Sequence, residues 1–271
     1  MLDSPRAPRV REAARLQQRA ARSSTGLFLL EGPACLDEAV RWQPAQLVEV
    51  FVTDAARERH PELLERAAQH AQLTDVSERA LAAIADTVHP QGVVAVAKQA
   101  PVRLEDAIAR AAASEHPLVA ILHEVRDPGN LGTILRAADA AGASAVVVTA
   151  NSVDAFAPKV VRATTGSLFH IDIAVGASTI DAVEAAAAAG LSVLAADVSG
   201  EDLVDLQSEG VLARPTAWLF GNEARGLDAG TLALADRAAR LPVYGRAESL
   251  NLATAASVCL YQSAFAQRAL R

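Results

Sequence analysis

Residues 118–136 read LVAILHEVRDPGNLGTILR. An apolar run from Leu118 to His123 gives way to a polar turn at Asp127-Pro128-Gly129-Asn130, and a helical pattern follows from Leu131 to Ala141. A short apolar run without polar alternation predicts a strand covered on both faces, as parallel sheets require. The same alternation continues outward. Strands are expected at 145–149, 191–196, 216–220 and 239–243, with helices at 158–165, 179–189 and 229–235 and a terminal helix from Leu250. Apolar strands separated by helices predict an α/β fold with a parallel sheet. Ligands of such sheets bind beyond the carboxyl ends of the strands, and the polar clusters of this chain fall at those ends.

Upstream, a basic helix is expected near 9–23, strands at 27–30, 47–53 and 92–97, and helices at 35–42, 61–72 and from Ser77 to Ile84. This describes a small α/β domain over residues 1–100. Residues 101–116 are the expected connector, with a helical centre, and residues 117–271 the second domain. The chain is 51% hydrophobic and 21% charged, so it is neither disordered nor membranous by composition. Its arginine-rich start has no apolar core behind it, so no secretory signal is expected there. Cys35 and Cys259 lie far apart without CxxC spacing, which argues against a disulfide framework or a metal site and makes a reducing cytoplasm the expected location.

The formal net charge of −7 argues weakly against nucleic acid, but its distribution is uneven. Arg6, Arg9, Arg11, Arg15, Arg19 and Arg22 crowd the first stretch, and lysine occurs only at Lys98 and Lys159. A solvated helix face and a phosphate-binding face both fit this cluster.

Three clusters carry chemistry. Asp127 to Arg136 opens a helix after a strand; its glycines permit close backbone approach, and free amides at a helix start attract anions. Asn130 there reads equally as a helix cap. Leu219 to Leu227 is a strand running into a glycine-bounded loop with Glu223. Leu241-Pro242-Val243, then Gly245 and Glu248 to Ala253, form the third; Ser249 or Asn251 can cap the terminal helix. The dinucleotide fingerprint GxGxxG and the phosphate loop GxxxxGK[ST] are both absent.

Together these segments resemble the three motifs of the SpoU/TrmH branch of the SPOUT methyltransferases. Asn130, Gly132 and Arg136 match the first, Gly221, Glu223 and Gly226 the second, and Leu241-Pro242-Val243 with Ser249-Leu250-Asn251 the third. An intermediate segment matches at Pro158, Lys159, Arg162, Gly166 and Ser167. The first hundred residues resemble the family's N-terminal substrate-binding domain, similar to small RNA-binding ribosomal proteins, through Leu30-Glu31-Gly32 and His89-Pro90-Gln91-Gly92; His89 stands where the family pattern has threonine.

The resemblance implies a trefoil-knotted C-terminal domain and transfer of a methyl group from S-adenosylmethionine to an RNA ribose 2′-hydroxyl. It places the cofactor against Gly221, Leu241 and Leu250, and makes Arg136, Asn130, Glu223, Ser249 and Asn251 the catalytic set. Guanidinium is almost never deprotonated, so Arg136 is expected to stabilise developing alkoxide charge or grip a phosphate. Arg162 is the expected second RNA ligand. Ribosomal RNA is the expected substrate, with transfer RNA the alternative. A homodimer is implied, with Leu252, Ala256, Cys259, Leu260 and Ala264 of the terminal helix expected to supply apolar surface. A catalytically silent knotted RNA-binding protein and a Rossmann-type nucleotide-dependent oxidoreductase are the rival readings; intact motifs weigh against the first and the missing glycine fingerprint against the second.

Overall fold

The computed structural model describes residues 1–269 in two compact units. One comprises Met1–Ala100 with Asp154–His170, the other Pro101–Val153 with the chain from Ile171 onward.

In the first unit, α1 (Pro8–Arg15) and α2 (Arg19–Thr25) precede β1 (Leu27–Glu31), α3 (Pro33–Trp42) and β2 (Leu47–Val52). Then come α4 (Asp54–Arg59), α5 (Pro61–Ala68), β3 (Gln72–Asp75), α6 (Glu78–Ile84) and β4 (Val93–Lys98). The sheet order is β1-β4-β2-β3; β1 and β2 run antiparallel to β4, and β3 runs parallel to β2. Val10, Ala13 and Leu16 share one buried cluster with Leu81 and Ile84 of α6 and with Leu29, Phe51, Val94 and Val96 of the sheet.

The basic helix expected over 9–23 breaks after Arg15. The Arg22 guanidinium is buried at 3% exposure and collects the carbonyls of Leu16 and Gln17, each at 2.8 Å. Those carbonyls turn to a side chain instead of extending the helix. Arg22 also pairs with Asp154 at 2.6 Å, so this member of the arginine cluster is structural. Arg6, Arg11, Arg15 and Arg19 are exposed. The helix expected to reach Gln72 ends at Ala68, and Gln72–Asp75 becomes an edge strand too short to carry an alternating pattern.

The second unit begins with α7 (Leu104–Ala112), β5 (Leu118–Leu122), α8 (Pro128–Ala141) and β6 (Ala145–Val148). After α9 (Pro158–Thr164), which belongs to the first unit, follow β7 (Asp172–Val175), α10 (Thr179–Ala188), β8 (Ser192–Asp202) and α11 (Leu203–Ser208). β9 (Thr216–Phe220), α12 (Ala229–Leu232), β10 (Arg237–Arg240) and α13 (Leu252–Ala269) complete it. The sheet runs β10-β8-β9-β5-β6-β7, with every neighbouring pair parallel. The expected α/β class and parallel sheet are therefore present.

Several boundaries differ from expectation. Residues 154–170, read as part of the second domain, group with the first: α9 packs on β1, Arg162 pairs with Glu31 at 3.0 Å and Asp86 at 2.8 Å, and His170 meets Glu38 at 2.9 Å. The helical centre expected within the connector is α7, whose Ala107, Ile108 and Ala111 sit in the second unit's core. The last strand stops at Arg240 instead of reaching Val243, since Pro242 has no N–H to extend a ladder. On α13, Ala256, Cys259, Leu260 and Ala264 are buried within the chain; Val258 and Phe265 are its exposed large apolar residues. Trp218 Nε1 donates to Ser263 Oγ at 2.9 Å and ties α13 to β9. Among the described residues no helix is long and apolar enough to cross a membrane.

Removing one partner of a buried ion pair leaves the other charge uncompensated. Arg22→Ala is therefore expected to destabilise the first unit by about 3 kcal/mol, read as a lower urea midpoint. An unchanged midpoint would show that the buried pair adds nothing.

Candidate functional site

Strands β5 and β9 are neighbours at the middle of the parallel sheet. From β5 the chain proceeds outward to β6 and β7, then reappears on the other side as β8, β9 and β10. Such a reversal opens a crevice at the strands' carboxyl ends. The segments leaving β5, β9 and β10 carry the three clusters read from sequence.

After β5, the Asp127 carboxylate caps α8 by accepting from the Asn130 N–H at 2.8 Å, with Pro128 in the first turn. Asn130 is therefore not the cap, and its side-chain amide is available for other work. After β9, the segment from Gly221 to Gly226 closes on itself. The backbones of Asn222 and Gly226 exchange hydrogen bonds of 3.1 and 2.8 Å. A Cβ on Gly221 would lie 2.5 Å from the Gly226 carbonyl carbon. This closure requires the glycine whether or not a ligand approaches it, so enlarging residue 221 tests the loop before it tests any ligand. Asn222 Oδ1 accepts from the Ala224 and Arg225 N–H groups, while its Nδ2 donates to the Glu124 carbonyl at 2.8 Å.

The Glu223 carboxylate joins the two segments. It accepts from the N–H groups of Arg126 at 3.0 Å and Asp127 at 2.9 Å, and from Asn130 Nδ2 at 3.2 Å. Asn130 Oδ1 in turn accepts from Asn251 Nδ2 at 2.9 Å. Asn251 Oδ1 accepts from the Ala253 N–H at 2.9 Å and caps α13. An ionised carboxylate only accepts, and a backbone N–H only donates. These two ends fix which way both amides point. Burial pushes the Glu223 carboxyl up, but the backbone donors Asp127 and Arg126, with Asn130, outweigh it and hold the pKa below the usual glutamate value.

Gly221, Leu241 and Leu250 line one cleft together with Glu223 and Ser249. Its walls include Ala196, Val198 and Phe220; Asp197 and Glu248 add carboxylates, and no Lys, Arg or His lines it. Arg136 does not line this cleft. It is exposed on α8 and makes no hydrogen bond or ion pair among the described residues. Arg162 is in the first unit, where it lines a cavity of about 250 Å³ with Glu31, Gly32, His89 and Gln91. The two segments singled out in the first hundred residues thus meet around one cavity. Among the described residues no cluster of His, Cys, Asp or Glu is arranged to hold a metal.

Sequence reasoning passed over Glu124, Arg126 and Arg225. Glu124 has φ +48°, a left-handed conformation that glutamate gives no local reason to expect. Arg126 and Arg225 both pair with its carboxylate, at 3.3 and 2.8 Å. Arg225 sits inside the recognised loop, and only its position there hinted at a role.

Residues 117–261 match the SpoU rRNA Methylase family, and residues 7–95 match the MRM3-like substrate binding domain. The chain is 35% identical over 262 residues to the 23S rRNA (guanosine(2553)-2′-O)-methyltransferase RlmP of Bacillus subtilis, covering 96% of this chain and 97% of the relative. Among solved structures, the AdoMet-bound rRNA methyltransferase from Sinorhizobium meliloti superimposes with a TM-score of 0.83 at 31% identity, covering 100% of this chain and 98% of that one. The SpoU methyltransferase AviRb from Streptomyces viridochromogenes, in complex with AdoMet, gives a TM-score of 0.81 at 29% identity, over 98% and 100% of the two chains. With the three motif segments leaving the carboxyl ends of one parallel sheet and both units matched, the chain belongs to the SpoU rRNA methylase family.

Proposed function

We propose that this chain moves a methyl group from S-adenosylmethionine to a ribose 2′-hydroxyl of ribosomal RNA. The observation that carries the reading is the Glu223–Asn130–Asn251 relay beside a cleft with apolar walls and acidic side chains. That lining suits a cofactor with a flat apolar body and positive charge. A dinucleotide pyrophosphate would meet Asp197, Glu223 and Glu248 and no cation. Bound there, S-adenosylmethionine supplies an electrophilic methyl on a positively charged sulfur. Gly221, Leu241 and Leu250 would border it. The trefoil knot is part of this reading and rests on the family match over residues 117–261.

The protein's own contribution is positioning and charge. Asn130, locked by an acceptor on one side and a donor on the other, presents its remaining N–H and lone pair in fixed directions. It would orient the ribose hydroxyl, with Ser249 at the cleft edge assisting. Arg136 stays protonated and acts through its charge on the developing alkoxide. Its lack of an ion-pair partner among the described residues leaves that charge uncommitted. Arg162, braced by Glu31 and Asp86, would contact RNA from the substrate-binding unit. The Bacillus relative's name supports large-subunit RNA as the substrate. A cytoplasmic location follows from that substrate and suits the two free, buried cysteines. The homodimer belongs to the same reading, supported by the exposed Val258 and Phe265 on α13; sedimentation should give a dimer, and a fully active monomer would remove it.

Transfer of labelled methyl groups to 23S rRNA transcripts, with mapping of the modified ribose, tests the activity directly. In single-turnover assays at saturating RNA, Arg136→Ala is expected to slow transfer by about a hundred-fold, the scale of losing one preorganised charge donor, with cofactor affinity unchanged. A near-normal rate would remove Arg136 from the chemistry.

Glu223→Gln presents an amide NH₂ to donors that need an acceptor. Misplacement of Asn130 should slow transfer by roughly a hundred-fold. Because the folded-state pKa of Glu223 is lowered, its ionic contribution to folding is complete above the ordinary glutamate value, about 4.3. It is lost as pH falls through the lower folded value. The wild type should therefore lose more stability than Glu223→Gln on acidification through that range. Parallel acid unfolding curves would count against the relay.

A further inference from the structure

Arg126 and Arg225 come from different segments, yet both reach one oxygen, Glu124 Oε2, at 3.3 and 2.8 Å. Their side chains are 59% and 69% exposed. Ion pairs this exposed add little to stability, so folding alone gives weak reason to bring two like charges together. One carboxylate cannot neutralise two guanidinium groups, and the trio retains a positive charge in a chain whose net charge is −7. Each guanidinium has five donors and spends only one on Glu124.

The brace itself is held from several sides. Glu124 occupies left-handed backbone at φ +48°, and its N–H donates to Thr149 Oγ1 at 3.1 Å. Its carbonyl receives Asn222 Nδ2 at 2.8 Å, and its Oε1 receives Asn151 Nδ2 at 3.3 Å. Asn151 is left-handed too, at φ +62°. Surroundings must over-determine such residues to keep them there. The fork also adjoins the relay: the Arg126 N–H donates to Glu223, and Arg225 lies in the loop that carries Glu223.

We infer that Arg126 and Arg225, braced by Glu124, form a fork for an RNA phosphate beside the target ribose. Guanidinium donors match phosphate oxygens in two-pronged geometry, and a fork built before substrate arrives spends little freedom on binding. Arg126 and Arg225 are binding residues; Glu124 is a positioning residue. The inference rests on the RNA-methylation reading above.

The test uses full-length protein, transcribed 23S rRNA and a salt series. Arg126→Gln/Arg225→Gln should raise KM for RNA about tenfold or more, leave kcat at saturating RNA within about twofold, and leave S-adenosylmethionine affinity by calorimetry unchanged. The slope of log affinity against log salt should flatten by about 0.7 to 0.9, one phosphate's share. Arg214→Gln, an exposed site before the opposite end of β9, should leave the slope at the wild-type value. Glu124→Gln keeps both cations, so its slope should stay at least as steep as the wild type's while KM rises several-fold. A wild-type KM in Glu124→Gln overturns the brace. Wild-type slope and KM in the double variant overturn the fork alone, as does a sedimentation change without a slope change, which would mark a protein interface. A wild-type enzyme that neither binds nor methylates ribosomal RNA overturns the fork and the functional reading together.

Discussion

The Glu223 carboxylate gathers donors from the segment that leaves β5, and through Asn130 and Asn251 it reaches the first turn of α13. Three stretches far apart in sequence are thereby held in one arrangement by an acceptor that cannot donate and amides that must. No member of this chain can rotate alone without facing two donors or two acceptors against each other. The geometry at Asn130 is consequently set by the whole relay and not by its own rotamer preference. Asp127 makes this possible by taking over the cap of α8; had Asn130 served as the cap, its amide would have been spent on the backbone.

The parallel sheet decides where this relay can form. With β5 and β9 adjacent and the strand order reversing between them, their carboxyl ends deliver two loops to the same place. Electrostatics then divides the neighbourhood. The cleft that includes Gly221 and Leu250 is bordered by carboxylates and no cations, whereas the arginines of the adjoining loops turn to Glu124. An overall acidic chain can thus serve a polyanionic substrate, because a local excess of arginine over carboxylate, as around Glu124, matters more than the sum of charges.

Much of this was legible in the sequence. Buried parallel strands read as apolar runs, so β5, β6 and β9 stood out, and the glycine-bounded loop at 221–226 marked its own place. What was missed has physical causes. β3 and β7 are as short as β6 but only partly buried, so they are neither continuous apolar runs nor long enough to show alternation. The break after Arg15 depends on Arg22 turning inward to a partner at Asp154, which no local pattern contains. The cap of α8 went to Asp127 over Asn130, two equally good residue types that only the fold distinguishes. On α13, an apolar stripe read as surplus surface was the helix's own core face. Glu124 was passed over because its importance lies in backbone conformation and in partners from other loops.

The pairing of Arg22 with Asp154 spans 132 residues, and this has a bearing on biosynthesis. The first unit is not finished when residue 100 leaves the ribosome, because α9 and its acidic neighbour are still to be made. At about 5–20 residues per second, Arg22 waits on the order of ten seconds for the carboxylate that makes its burial tolerable. During that interval the nascent sheet must keep an uncompensated guanidinium at its edge, hydrated or held by the Leu16 and Gln17 carbonyls alone. A cut at the apparent boundary near Pro101 would therefore leave the first unit without residues 154–170, and the other fragment with a segment that packs in the first unit.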